Sequence, residues 1–195
     1  MRIIIIGGFL GSGKTMTIKN IVQQFSQIDL AKIALIINDF GEIGIDASVV
    51  RPSGIEPFEL VSGCICCQLG MDLIKTISTI YTDYNPGTVI LEPSGVANPA
   101  SLKTLILGQK EFPVSNIKSV YLVDPIRLNT LLEIPIVEEG ISSADVLVIT
   151  KTDLVDQSII SKVKEKVKTF IGTTEIFEID NLKRTGLEQL FEVLI

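Results

Sequence analysis

The sequence predicts an α/β fold, a doubly wound, mainly parallel sheet flanked by helices, from three observations. Five apolar runs, RIIII (2–6), KIALII (32–37), TVILE (88–92), SVYLV (119–123) and DVLVIT (145–150), have the length and β-branched content of strands buried on both faces. Helix-like segments alternate with them, as right-handed crossovers between parallel strands require. The 195 residues, 46% hydrophobic and 21% charged, suit one domain with its own core, and no linker, repeat or low-complexity tract interrupts them. A single domain over 1–195 is therefore expected.

The elements follow in order. RIIII resembles the start of a signal peptide only until its four isoleucines give way to glycines and a lysine, so it is read as a buried strand. A helix is expected from Met16 to Phe25, with Ile18, Ile21, Val22 and Phe25 apolar. KIALII leads into NDFGEIGIDASVVRPSG (38–54), whose glycines and acidic residues suit a switch loop. A second helix is placed from Leu69 to about Tyr84. SIISKVKEKVKTF (158–170) sets Ile159, Ile160, Val163, Val167 and Phe170 at helical spacing opposite lysines and a glutamate, the pattern of an amphipathic surface helix. TGLEQLFEVLI (185–195) is read as a closing helix packed on the sheet through Leu187, Leu190, Phe191 and Leu194. Ligands of such sheets bind at the carboxyl ends of the strands, so function is sought in the loops that follow them.

Composition narrows the function classes. With 17 basic and 23 acidic residues the formal charge is −6, which argues against non-specific binding to nucleic acid or to an anionic membrane surface. No run approaches the roughly 18–20 apolar residues that span a bilayer. A cytoplasmic protein is expected, and in a reducing cytosol three clustered cysteines point to metal or catalysis before disulfides.

GFLGSGKT (8–15) follows the first strand and opens the first helix, which is the context that gives a phosphate-binding loop its meaning. Its glycines let successive backbone N–H groups face a polyphosphate, and the helix adds the positive end of its dipole. Gly8, Gly11, Ser12, Gly13, Lys14 and Thr15, with Met16 at the helix start, are the expected nucleotide contacts. Lys14 is assigned to the β- and γ-phosphates and the Thr15 hydroxyl to Mg²⁺. After the strand DVLVIT comes KTDLVD, where Asp153 is placed to accept from the N1–H and exocyclic amine of guanine and Lys151 to lay its stem over the base. Thr150 stands where GTPases usually carry Asn; its hydroxyl can bond to the loop or to the base. The competing reading is a helix start capped by Asp153. Glu92, at the end of TVILE, is placed to hold Mg²⁺ through water, and Gly95 to meet the γ-phosphate with its amide. Lys14 and Glu92 are the candidate catalytic groups; no general base is evident in a chain without histidine, so slow turnover is expected.

SGCICCQL (62–69) holds all three cysteines of the chain. In an extended segment Cys64 and Cys66 face one way and Cys67 the other, and a turn into the helix from Leu69 brings the three thiols toward one point. Three thiolates suit Zn²⁺ or Co²⁺, with a fourth position left for water, a carboxylate or a partner. Redox-active thiols and simple packing are the alternatives.

Together, GGFLGSGKT (7–15), NDFGEIGID (38–46), GCICC (63–67), EPSG (92–95) and TKTD (150–153), in this order, resemble the CobW family of metallochaperone GTPases, relatives of the nickel-insertion GTPases UreG and HypB, over essentially the whole chain. The resemblance implies a P-loop NTPase fold of the SIMIBI class and a GTP-dependent metal carrier or insertase. It also implies a weak intrinsic GTPase and a metal site at the Cys-x-Cys-Cys motif that communicates with the nucleotide. Glu42 is the fourth metal ligand that the resemblance suggests, with Asp39 and Asp46 competing; Asp39 is also a candidate for the Mg²⁺ shell. A recipient metalloenzyme or cofactor-biosynthesis protein is the expected partner, and a homodimer in the GTP state is permitted. Many members carry a further carboxyl-terminal domain and a histidine-rich segment, whereas this chain has no histidine. Two other functions fit the same residues: a GTP-dependent activator or regulator of a metalloenzyme, for instance a corrinoid-dependent one, that senses metal without delivering it, and a zinc-binding interaction module with a structural nucleotide.

Overall fold

Ile3, Ile4, Ile5 and Ile6 are all fully buried, because the strand they form sits in the middle of a sheet covered on both faces. The computed structural model describes residues 1–29, 33–37, 57–59, 68–93 and 98–194. Within them lie β1 (Arg2–Gly8), α1 (Lys14–Asp29), β2 (Ile33–Ile37), β3 (Pro57–Glu59), α2 (Gln68–Tyr84), β4 (Thr88–Glu92) and α3 (Pro99–Gly108). Then come β5 (Asn116–Val123), α4 (Leu128–Leu131), α5 (Pro135–Ser142), β6 (Val146–Ile149), a 3-10 turn (Thr152–Leu154), α6 (Gln157–Lys168), β7 (Glu175–Glu178) and α7 (Leu187–Leu194). The described strands form one sheet in the order β3-β2-β4-β1-β5-β6-β7. Every neighbouring pair is parallel. The doubly wound parallel fold is as expected; β3 and β7 extend the five anticipated strands to seven.

Alternation along β1 sorts the core into layers. Ile4 and Ile6 join Leu35, Ile90, Val120 and Leu122 under α1 and α7, against Ile18, Ile21, Leu190 and Phe191. Ile3 and Ile5 face the other way, with Val89 and Leu91, onto Leu73 and Ile77 of α2 and Ile106 of α3. Farther along that face, Tyr121, Leu147 and Ile149 pack against Val137 and Ile141 of α5 and Ile160, Val163 and Val167 of α6. Burying each such side chain contributes about 1.5–3 kcal/mol. Ile159, expected in this stripe, is 39% exposed: it lies one residue, about 100° of helical turn, from Ile160, and the buried arc is narrower than the apolar run. The helix ends follow local chemistry. Asn98 caps α3 by accepting from the Ala100 N–H at 2.8 Å, with Pro99 in the first turn.

Register then sets what meets at the functional edge. Gly8 pairs with Leu122, Val123 with Ile149, and Ile37 with Glu92, so the carboxyl ends of these strands lie side by side. Among the described residues, no helix is long and apolar enough to cross a membrane.

Candidate functional site

The segment between β1 and α1 is a loop wrapped by its own backbone. Gly8, Gly11 and Gly13 take φ angles of 146°, 76° and 91°. Gly8 is required twice over: a Cβ there would lie 2.5 Å from Ser12 Oγ and 2.9 Å from the Leu122 carbonyl oxygen, in a conformation that L side chains rarely adopt. The Phe9 carbonyl accepts from the Ser12 N–H at 3.0 Å and the Gly13 carbonyl from the Thr17 N–H at 2.9 Å. The Leu10 carbonyl accepts from Arg127 Nη1 at 2.9 Å, and the Ser12 carbonyl from Thr150 Oγ1 at 2.8 Å. No peptide is cis among the described residues, so the N–H groups of Leu10, Gly11, Gly13 and Lys14 lie opposite these occupied carbonyls. A loop whose carbonyls are engaged and whose N–H groups face elsewhere, at a helix start with no acidic residue in its first turn, fits a polyphosphate. Lys14 is 8% exposed and folds back to donate from Nζ to the Gly8 carbonyl at 3.1 Å. Thr15 and Met16 are exposed at the first turn of α1, whereas the Ser12 hydroxyl is buried without a hydrogen-bond partner among the described residues. Both backbone groups of Ser12 are engaged, the N–H by the Phe9 carbonyl and the carbonyl by Thr150, so Ser12 shapes the loop.

Opposite this loop stand the ends of β5 and β6. Thr150, fully buried, gives its hydroxyl to the Ser12 carbonyl and, at 3.2 Å, to that of Val123, so it serves the loop. Lys151 adopts φ 53°, a left-handed turn uncommon for a residue with a Cβ and frequent at functional loops. Its ammonium is tied to Asp124 at 2.8 Å. Asp124 is 2% exposed, and its other oxygen accepts from the Ile126 N–H at 3.0 Å. Asp153 is exposed in the 3-10 turn. It caps neither helix: the residue preceding that turn is Lys151 and the one preceding α6 is Asp156, and neither position shows a side-chain cap. The turn that carries it follows β6, whose end lies two strands from that of β1.

A third wall comes from the loop after β7. Asp180 Oδ1 accepts from the Leu182 and Lys183 N–H groups, and Asn181 reaches across to α1. There its side-chain oxygen accepts from Asn20 Nδ2 at 3.1 Å and its amide donates to Thr17 Oγ1 at 3.0 Å. Asn181 Nδ2 lies 3.4 Å from where a Cβ of Gly13 would be. Sequence reasoning overlooked Asp124, Arg127 and Asn181. Asp124 directly follows the run SVYLV, so the rule that located Glu92 applies to it equally; Arg127 and Asn181 carry no local signal. A separate cavity of about 650 Å³, lined by residues that include Ile126, Leu154, Ile159 and Lys162, draws nothing from the phosphate loop.

Glu92, 8% exposed, is the last residue of β4 and pairs with Ile37 at the end of β2. A carboxylate there and the Thr15 hydroxyl are of the oxygen-donor type that suits Mg²⁺. Gly95, Asp39, Glu42, Asp46, Cys64, Cys66 and Cys67 lie outside the described residues. Among the described ones, no group of three metal-binding side chains comes together.

Residues 2–178 match the family described as CobW/HypB/UreG, nucleotide-binding domain. The chain is 33% identical to a zinc chaperone CobW of Sinorhizobium over 196 residues, which is 85% of this chain and 54% of that protein. It thus spans about half the length of the curated relatives it matches. The fold is also similar to that of HypB from Archaeoglobus fulgidus, a hydrogenase maturation factor, with a TM-score of 0.74 and 21% identity over 100% of this chain and 88% of that one. The Zn(II)-bound YjiA GTPase of Escherichia coli gives a TM-score of 0.62 and 18% identity, covering 96% and 61%.

Proposed function

Because the chain belongs to the CobW/HypB/UreG family of nucleotide-binding domains, we propose that residues 1–195 act as one GTP-binding and slowly GTP-hydrolysing unit that couples nucleotide state to the carriage of a transition metal. The observation that carries this reading is the phosphate loop, whose Leu10 and Ser12 carbonyls are occupied by Arg127 and Thr150 and whose Phe9 and Gly13 carbonyls are occupied by its own backbone, with Lys151 and Asp153 in the segment that follows β6. Gly11, Gly13 and Lys14 bind the phosphates. Lys151 covers the base, and Asp153 accepts from the donors on guanine that adenine lacks. Thr15 and Glu92, with Asp39 contributing, hold the Mg²⁺ that neutralises charge on the phosphate oxygens.

Cys64, Cys66 and Cys67 hold the cargo ion, Zn²⁺ in preference to Co²⁺ since the similar curated proteins are named zinc chaperones. Glu42 completes the site when GTP draws the segment 38–54 toward the γ-phosphate and Gly95 senses that group. Hydrolysis then frees the ion for a recipient metalloenzyme or cofactor-biosynthesis protein. Reciprocity requires metal to tighten GTP binding by the same factor that GTP tightens metal binding.

The test is an anaerobic titration with Co²⁺ on protein without nucleotide, with Mg²⁺–GDP and with Mg²⁺ plus a non-hydrolysable GTP analogue. Thiolate-to-metal charge-transfer bands at one ion per chain, tighter in the GTP-like state and lost when the three cysteines become serine, are expected. Equal affinity in all three states refutes the coupling, and no thiolate bands in any state refutes the metal site.

A further inference from the structure

The turn Asp124–Arg127 touches both halves of the site. At one end Asp124 anchors Lys151. At the other, Arg127 donates from Nη1 to the Leu10 carbonyl, and its guanidinium carbon stands 5.9 Å from the centre of the Phe9 ring. We propose that Arg127 is a positioning residue of the phosphate loop, holding the Leu10–Gly11 peptide with its carbonyl outward so that the Gly11 N–H remains turned toward a bound phosphate. This rests on the nucleotide-binding reading above.

The four occupied carbonyls of the loop are not held equally well. Those of Phe9 and Gly13 are engaged by backbone N–H groups three and four residues away, and that of Ser12 by a fully buried hydroxyl. The Leu10 carbonyl relies on a long surface side chain, and Leu10 itself is 75% exposed, so little packing fixes this peptide. It is also able to rotate, since Gly11 on its far side has no Cβ and sits at φ 76°. Turned over, it would present an oxygen to the phosphates in place of a donor. Arginine suits the task better than lysine, because its planar fork can donate to a carbonyl while also approaching an aromatic ring. A Cβ on Gly11 would lie 3.2 Å from Nη1, so the guanidinium occupies the space a side chain there would need. The turn is in turn fixed from within: Asp124 accepts the Ile126 N–H through its side chain and the Arg127 N–H through its carbonyl. The base-covering lysine and the phosphate loop therefore share one support.

The experiment measures affinity for a fluorescent GDP in the parent chain and in Arg127→Ala, Arg127→Lys, Phe9→Leu and the Phe9→Leu/Arg127→Ala double variant, with thermal unfolding of each without nucleotide. Arg127→Ala is expected to weaken GDP binding about tenfold while the nucleotide-free melting temperature stays within about 2 °C, since the contact is on the surface. Arg127→Lys should recover part of the loss. The double variant should lose less than the two single losses combined, as expected when two side chains act on one peptide. Binding by Arg127→Ala within twofold of the parent overturns the proposal. Full recovery by lysine, with a difference that vanishes in 1 M salt, also overturns it, since the arginine would then act as a charge on the phosphates. A parent chain that binds no guanine nucleotide removes the functional reading and this inference together; a parent that binds beside a variant that binds equally removes only the latter.

Discussion

Replacing Thr150 by valine removes one hydroxyl and leaves the shape of the side chain nearly unchanged. That hydroxyl donates to the Ser12 carbonyl at 2.8 Å and to the Val123 carbonyl at 3.2 Å, in a position without solvent exposure. Val123 keeps a second donor, the Thr150 N–H at 3.0 Å, so one acceptor, the Ser12 carbonyl, is left against a methyl group. An orphaned buried acceptor costs about 1–3 kcal/mol. For a domain of this size each kcal/mol corresponds to about 2–4 °C, so a fall of roughly 2–12 °C in the midpoint of thermal unfolding is expected. Affinity for GDP should fall as well, because the Ser12–Gly13 peptide supplies an N–H to the loop. The preference for GDP over ADP should not change, since the hydroxyl faces the loop. Thermal unfolding, together with competition between GDP and ADP for a fluorescent nucleotide, measures all three quantities. An unchanged melting temperature with lost guanine preference would show that the hydroxyl serves the base, and would refute the reasoning.

Two other perturbations concern Asp124, in the site, and Asp145, whose carboxylate meets Lys103 and Ser119 at the other end of β5. Asp124→Ala strips the acceptor from Lys151 and from the Ile126 N–H; about 1–3 kcal/mol of GDP affinity, roughly five- to 150-fold, should be lost, with Asp124→Asn intermediate, and calorimetric titration giving parental affinity for the alanine variant would contradict the anchoring role. Asp145 is subject to opposing influences. Burial pushes its carboxyl up, but hydrogen bonds from Lys103 and from the backbone and hydroxyl of Ser119, with the lysine charge, outweigh it and hold the group below its ordinary value. A lowered carboxyl stabilises the fold above the unfolded pKa of about 3.9, and that contribution is lost as pH falls through the folded value. The urea midpoint of the parent should therefore exceed that of Asp145→Asn by a constant amount above about pH 5 and converge on it below about pH 4; a difference that does not vary between pH 7 and pH 3 would show that the charge is not responsible.

The elements that could be read in advance are those whose cause is local. TVILE spans the same residues as β4, and RIIII lies inside β1, because a strand buried on both faces reads as a continuous apolar run along its middle. Leu187, Leu190, Phe191 and Leu194 of α7 are all buried, as their spacing demands. β7, EIFE, escaped notice because it lies at the sheet edge, no deeper than half-buried and with glutamate at both ends, one of them paired with Lys164. The proposed metal ligands Cys64, Cys66, Cys67 and Glu42 rest on the sequence and lie outside the described residues, as do Asp39 and Gly95.

By itself the sequence determined the alternation of strands and helices, the glycine-lysine loop after the first strand, and the edge of the sheet where chemistry belongs, since each depends on neighbours a few residues apart. The tertiary structure decided which way Thr150 donates, that Asp124 anchors Lys151, and that Arg127 grips the peptide after Leu10. Those choices join residues 138, 27 and 117 positions apart. Only the register of a parallel sheet, which brings the ends of β1, β5 and β6 side by side, can settle them.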